Sequence, residues 1–284
     1  MADTYLKRIL FLTITCGLII GFTLPVYELT DLEKYRLKGK IKSIMEIKYA
    51  LAEGADKDPK DNITYQKYTL FDLNGYETES VLYKNGEKYL VSSYLSGSDG
   101  KQLEMNEYNP DGTLNLNVTF KFDDKGFRSE AIYNWAENRK IGEICDNTDY
   151  YYEIIQNDMF TKVIYKNEYR GFCTEEIYLK ADSSLSFKII AKYDFHGNKT
   201  ESGYYHGNGH LSWMTKYKYD RYDNLVESRV YKSNRIAVIS GYDYQFDEAG
   251  NWVTRKEDRE VFVNILTEGL ERDNTLTERI LEYY

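Results

Sequence analysis

A chain of 284 residues with 46 acidic against 37 basic side chains carries a net charge of −9 and has no general electrostatic attraction for nucleic acid. Its hydrophobic fraction of 42% includes 29 tyrosines, whose hydroxyls keep one end wet, and a mean hydropathy of −0.62 fits thin β layers rather than a deep core. With three prolines and no Ser/Gly-rich tract, no interdomain linker is expected after the N-terminus.

Lys7 and Arg8 precede an apolar run from Ile9 to Leu24, closed by Pro25. Residues 1–27 therefore read as an export signal or an N-terminal membrane anchor, which places the protein outside the cytoplasm, in the periplasm, the cell envelope or the medium. Cys16 is a possible lipidation site, although Thr13-Ile14-Thr15 makes a poor lipobox. Cys145 and Cys173 remain, either as a disulfide in an oxidising compartment or as two buried thiols.

Residues 28–66 are expected to form an N-terminal capping strand and loop. Lys34, Arg36, Lys38, Lys40 and Lys42 alternate with Tyr35, Leu37, Gly39, Ile41 and Ser43, which would put five cations on one strand face. Such a face discourages edge-to-edge association; a contact with anionic headgroups is the functional alternative.

Residues 67–258 hold a repeat. Its anchor, usually the Gly of Asp-x-x-Gly, falls at Gly75, Gly100, Gly126, Asp149, Gly171, Gly197, Asp223 and Gly250. Four residues beyond each anchor stand Glu79, Glu104, Glu130, Glu153, Glu175, Glu201 and Glu227, and in the last copy Thr254. Period-two patterning marks a strand before each turn, as in Val118, Phe120 and Phe122 or Ile189, Ala191 and Tyr193, and a second strand carries the Glu. Second turns such as Asn85-Gly86 and Asp111-Gly112 are strong hairpin signals. The fold class is thus all-β: an antiparallel meander of about sixteen short strands in eight repeats, coiled or wrapped into an elongated sheet. Residues 259–284 read as an insertion followed by a C-terminal capping strand.

The order Tyr-x-Tyr-Asp-x-x-Asp-Asn-x-x-Glu at Tyr217 to Glu227, echoed at Tyr193 to Glu201 and at Phe246 to Asn251, resembles the YD repeats of the RHS family, in particular short exported members of the Bacteroidetes type. The resemblance implies strands spiralling into a β-shell and leaves function largely open.

Chemistry is sparse. His196 sits in one turn and His206 and His210 flank the next, at opposite ends of a strand about 25 Å long at roughly 3.3 Å per residue, so the three cannot converge on a metal. A ladder of identical glutamates lacks the two different environments that an acid/base pair needs, and pairing with lysines suits it better. No catalytic residue, metal site or cofactor is expected. Trp135, Trp213, Trp252, Tyr205 and Tyr231 are the candidate binding aromatics. An outer-membrane barrel would suit sixteen strands, yet Glu175 and Glu176 put an acid on each face of one strand. The expected function is a non-enzymatic structural or protein-interaction module at the cell envelope. Binding of surface or dietary polysaccharide is the alternative, a role beside an RHS-type toxin a distant third. The partner would be a protein or glycan at the cell surface, without nucleic acid, and membrane attachment would run through the N-terminus.

Overall fold

The computed structural model describes residues 30–51, 62–137, 160–168, 170–264 and 269–284, with backbone alone at 263, 264, 269 and 270. The apolar N-terminus with Cys16, the copy anchored on Asp149 and Cys145 lie outside these residues.

A four-residue helix α1 (Asp31–Lys34) opens the described chain, with Thr30 and Glu33 forming a capping box. Sixteen strands follow. The first eight are β1 (Ile41–Leu51), β2 (Ile63–Phe71), β3 (Glu77–Lys84), β4 (Glu87–Ser96), β5 (Gln102–Tyr108), β6 (Leu114–Phe122), β7 (Arg128–Trp135) and β8 (Lys162–Asn167). The second eight are β9 (Cys173–Leu179), β10 (Leu185–Tyr193), β11 (Lys199–His206), β12 (Leu211–Tyr219), β13 (Leu225–Lys232), β14 (Arg235–Phe246), β15 (Trp252–Asn264) and β16 (Gly269–Tyr283). All pair antiparallel with their chain neighbours, and β1 pairs with β16, so the meander closes into a barrel. The elongated open sheet expected from the repeats is thereby corrected: closure removes both free edges. Seven described Asp-x-x-Gly-type hairpins supply fourteen strands, and β1 and β16 supply the other two. The alternating cations are corrected as well, because Lys34 ends α1 and residues 35–40 are irregular, with β1 starting only at Ile41.

Five of the seven described repeat turns are built by an aspartate, Asp72, Asp123, Asp194, Asp220 or Asp247, whereas Gly97 and Glu168 hold that place in the other two. Asp194 Oδ1 accepts from the amides of His196 and Asn198, both at 2.9 Å, and Asp123 treats Lys125 and Phe127 in the same way. The anchor then sits at positive φ, +86° at Gly197 and +66° at Asp223, where a non-glycine residue is tolerated when it is Asp or Asn. Just before every one of the seven turns the register shifts, as between Lys121 and Phe122 or Lys192 and Tyr193. A bulge adds twist and bends the strand, and such shifts stand beside these seven turns and again at the other rim, as between Leu82 and Tyr83 or Val230 and Tyr231, so that the sheet coils toward closure.

The turns also lock one another. The ring of Phe172 lies against Gly197, that of Phe127 against Gly171 and that of Tyr76 against Gly100. Gly197→Ala would combine a strained φ with a collision against Phe172. It is expected to cost roughly 1–3 kcal/mol, read from urea denaturation, whereas Gly112→Ala, with nothing within 4 Å, should cost only the φ strain.

Residues paired across strands share a face, so the register sorts the wall into two sides. One side holds Val118 at 1% exposure, Ala131 and Val163 at 0% and Phe187 at 1%, and is the lumen. The other side holds Lys121, Lys166, Lys192 and Lys218 at 57 to 68% side-chain exposure and is the outer wall.

Candidate functional site

The outer wall is a ladder of ion pairs. Lys121 meets Glu130 at 2.6 Å, and Lys162 reaches the same carboxylate from β8. Lys166 and Lys188 flank Glu175 at 2.6 and 3.3 Å, Lys192 meets Glu201 at 2.7 Å, and Lys218 and Arg229 hold Glu227 at 2.8 and 2.7 Å. Glu104 instead accepts from Asn106 and Asn117. The repeat glutamates of these described copies therefore act as cross-strand pairing groups.

Hydrogen bonds from their lysines, with Arg229 added at Glu227, hold Glu130, Glu175 and Glu227 below the ordinary carboxylate value of 4.5. A depressed folded-state pKa gives stability that is present above the unfolded value and lost as pH falls through the folded one. Glu107 has the opposite sign, since burial raises its pKa and its ionisation opposes folding. Asp182, Asp194, Asp220, Asp247 and Glu282 are lowered as well. With eight described carboxyl groups lowered against one raised, the melting temperature is expected to fall as pH drops below about 4.5, and Gln at 130, 175 and 227 should reduce that slope in a scanning-calorimetry pH series.

The lumen is filled by aromatic rings between β7 and β12. Phe187 stacks on Tyr178 at 4.0 Å, Phe160 meets Tyr178 edge-on at 4.8 Å, and Trp213 stacks on Tyr204 at 4.1 Å. Trp135 joins this cluster and donates its Nε1–H to the Phe160 carbonyl at 3.0 Å.

Toward the repeat-turn rim the lumen becomes polar. Arg279 donates to Glu46 at 2.9 Å, Lys67 lies 3.5 Å from Glu77, and Lys67 also donates to the Tyr35 hydroxyl at 3.4 Å. Burial raises the pKa of Tyr35 and Tyr94, and it pushes Tyr242 up to about 12, so these phenols stay neutral.

Residues 30–40 close this rim as a cap. Leu32 donates its amide to Gly75 O at 3.0 Å, and Asp31 Oδ2 accepts from Glu77 N and Gln102 Nε2, both at 2.9 Å. Arg36, at φ +56°, donates to Asp223 O and Asn198 Oδ1, and Lys38 and Asn251 exchange two hydrogen bonds of 2.6 and 3.0 Å. The turns after β2 and after β10 lie eight strands apart in a ring of sixteen, so the cap bridges opposite sides of the mouth. Its backbone covers at most about 14 Å from Leu32 to Arg36, which keeps that mouth narrow.

The nominated aromatics do not form one site. Trp135 and Trp213 lie in the aromatic cluster, and Trp252 lies near the rim under Arg279, whose guanidinium is 3.4 Å from the ring centroid. Tyr205 and Tyr231 face outward under Lys188 and Lys216, at 5.6 and 5.7 Å. His196 lies at the capped rim, whereas His206 and His210 flank the β11–β12 turn at the other end. Cys173 is a free thiol that burial pushes up to about 12, which makes it a poor nucleophile at neutral pH. Among the described residues no group of three metal-ligating side chains converges. Sequence reasoning missed Glu46, Arg255 and Arg279, which closure brings together; the one hint was Thr254, where the glutamate pattern breaks beside Arg255.

The class is thus a closed sixteen-stranded antiparallel β-barrel with a filled lumen and a charged outer wall. Among solved structures it is similar to a porin-like protein from Bacteroides uniformis, with a TM-score of 0.55 at 9% identity over 90% of this chain and 100% of that one. A porin-like protein from Bacteroides vulgatus aligns at a TM-score of 0.41 and 13% identity over 86% and 99% of the two chains. No family model and no curated protein matches the chain. The likeness to YD repeats is overturned by the first of these neighbours: the Asp-x-x-Gly turns close hairpins of a sixteen-stranded barrel and do not wind an RHS shell.

Proposed function

We propose that the protein is a non-enzymatic β-barrel of the cell envelope, working in an aqueous compartment as a structural or protein-interaction module. The charged outer wall carries this reading. A bilayer-spanning strand needs about 9–11 residues with apolar side chains facing lipid, and a lysine at the midplane of that face costs about 2–4 kcal/mol. Here β8 has six residues and β5 and β9 seven, and Glu/Lys pairs follow one another along the wall from β6 to β13. The name of the porin-like neighbour and the export-type N-terminus support the envelope; the filled lumen and the cap favour a role other than a pore. Two tests address these two parts. Residues 25–284, refolded without detergent, should stay monodisperse and remain at the bottom of a liposome flotation gradient. Flotation with the vesicles, or conductance across a planar bilayer, would make it a membrane barrel instead. Cross-linked capture from solubilised envelope of the source cell should then enrich one protein reproducibly. Retention of glycan alone would turn the reading to polysaccharide binding.

A further inference from the structure

The large apolar and aromatic side chains on the surface gather at the capped end of the barrel. Among the described residues twelve are exposed, and only Ile63, Leu114 and Phe262 lie at the far end. The three most exposed are Phe195 at 84%, Tyr222 at 68% and Leu73 at 64%. Each stands at the apex of a repeat turn, one or two residues after Asp194, Asp220 or Asp72. An apex is where the chain reverses, so these side chains stand at the very end of the wall. The turns of Leu73 and Phe195 lie eight strands apart in the ring of sixteen, and that of Tyr222 two strands beyond Phe195. Apolar tips spread around a ring define a plane, whereas a protein partner engages a compact central cluster.

The chain reaches this same rim from an apolar segment. Thr30 and Leu32 lie against Gly75, whose carbonyl accepts the Leu32 amide at 3.0 Å, in the turn that carries Leu73. Leu24, the end of the apolar run that starts at Ile9, stands six residues before Thr30, so the run ends at most about 21 Å from the rim. A bilayer that takes up this run is thereby held against the tips. Charge does not single out an anionic surface, since the cap and the repeat turns expose six cations, Lys34 and Arg221 among them, against five acids such as Glu33 and Glu248. A neutral lipid interface fits, because aromatic rings settle at headgroup level.

We propose that the capped end rests on a lipid bilayer, with Leu73, Phe195 and Tyr222 set among the headgroups and the apolar residues 9–24 retained in the membrane as a tether. The inference rests on the envelope reading above, with the barrel body in water, and adds its partner and its orientation. Three tips alone bury too little to float residues 25–284, because interfacial binding scales with the apolar area buried; tether and tips act together. The far end, with the β11–β12 turn, then points away from the membrane.

The test reconstitutes the full chain in phosphatidylcholine vesicles and oxidises it with hydroxyl radicals, the products being read by mass spectrometry. Leu73 and Phe195 are more exposed in the barrel than Leu114 at 45% and Phe262 at 37%. In vesicles they should nevertheless be oxidised at least fivefold more slowly than these two, and Tyr222 at least fivefold more slowly than Tyr205 and Tyr231 of the outer wall. Phe195→Asp, at an exposed site, should keep the fold by circular dichroism and at least double the Tyr222 rate. Reactive tips on a chain that floats with the vesicles would overturn the inference and leave the envelope reading standing. A full chain that does not float, or an unaltered Tyr222 rate in Phe195→Asp, would overturn it as well. Protection of Leu114, Phe262, Tyr205 and Tyr231 together with the tips would mean a barrel that spans the bilayer and would overturn both readings. Protection that vanishes on dilution into excess lipid would assign the rim to a second copy of the chain instead.

Discussion

Phe187→Ala is expected to lower the free energy of unfolding by about 3–5 kcal/mol, the range for deleting a large buried aromatic that leaves a cavity. The ring is 1% exposed and stacks on Tyr178 at 4.0 Å, with Phe160 edge-on at 5.9 Å and Tyr204 at 5.1 Å on its other sides. Tyr178 and Tyr204 sit on β9 and β11, the strands on either side of β10 in a closed wall, and Phe160 lies just before β8, so backbone movement cannot easily fill the space. Urea denaturation followed by tryptophan fluorescence reads the loss directly. Phe187→Leu keeps most of the volume and should cost only about 1.5 kcal/mol or less. A loss below about 1 kcal/mol for the alanine variant would mean that the lumen is looser than these contacts indicate.

A loss of similar size, about 3–5 kcal/mol, is expected for Glu46→Ala, through charge rather than volume. Removing the carboxylate leaves the Arg279 guanidinium, 8% exposed, without the acceptor it holds at 2.9 Å. Burial already pulls the pKa of Arg279 down, and Glu46 is the first group to oppose that shift. Replacing both partners by apolar residues, Glu46→Leu with Arg279→Met, should recover most of the loss, because then no buried charge is stranded. Equal destabilisation by the single and the double variant would show that the pair acts through packing alone.

Strand number and the inward-facing set were legible because period two is written plainly in residues such as Val118 and Phe120 or Ile189 and Ala191. The role of the repeat aspartate was legible too, since Asp-x-x-Gly has a local mechanism. Closure was not. It depends on a bulge beside each turn, at steps such as Lys192/Tyr193 and Gln245/Phe246, and a bulge residue has no chemistry that distinguishes it from its neighbours in a strand. The alternating cations from Lys34 to Lys42 misled for a related reason. Strand period in a short polar segment is overruled when Thr30 and Glu33 cap a helix and Asp31 finds Glu77 N and Gln102 Nε2, 46 and 71 residues away. The same long range hid the buried ion pair of the lumen, for nothing local links Glu46 to Arg279.

That separation of 233 residues between Glu46 and Arg279 bears on how the protein is made. A wall whose first strand seals against its last cannot complete its hydrogen-bond ring until β16 has left the ribosome or the translocation channel. Until then β1 and the newest hairpin present unpaired backbone to water, and each can recruit a second copy in place of β16. Yield on refolding should therefore fall steeply with protein concentration, and a chain shortened by its final ten residues, Thr275 to Tyr284, should accumulate as oligomers rather than as a slightly weakened barrel.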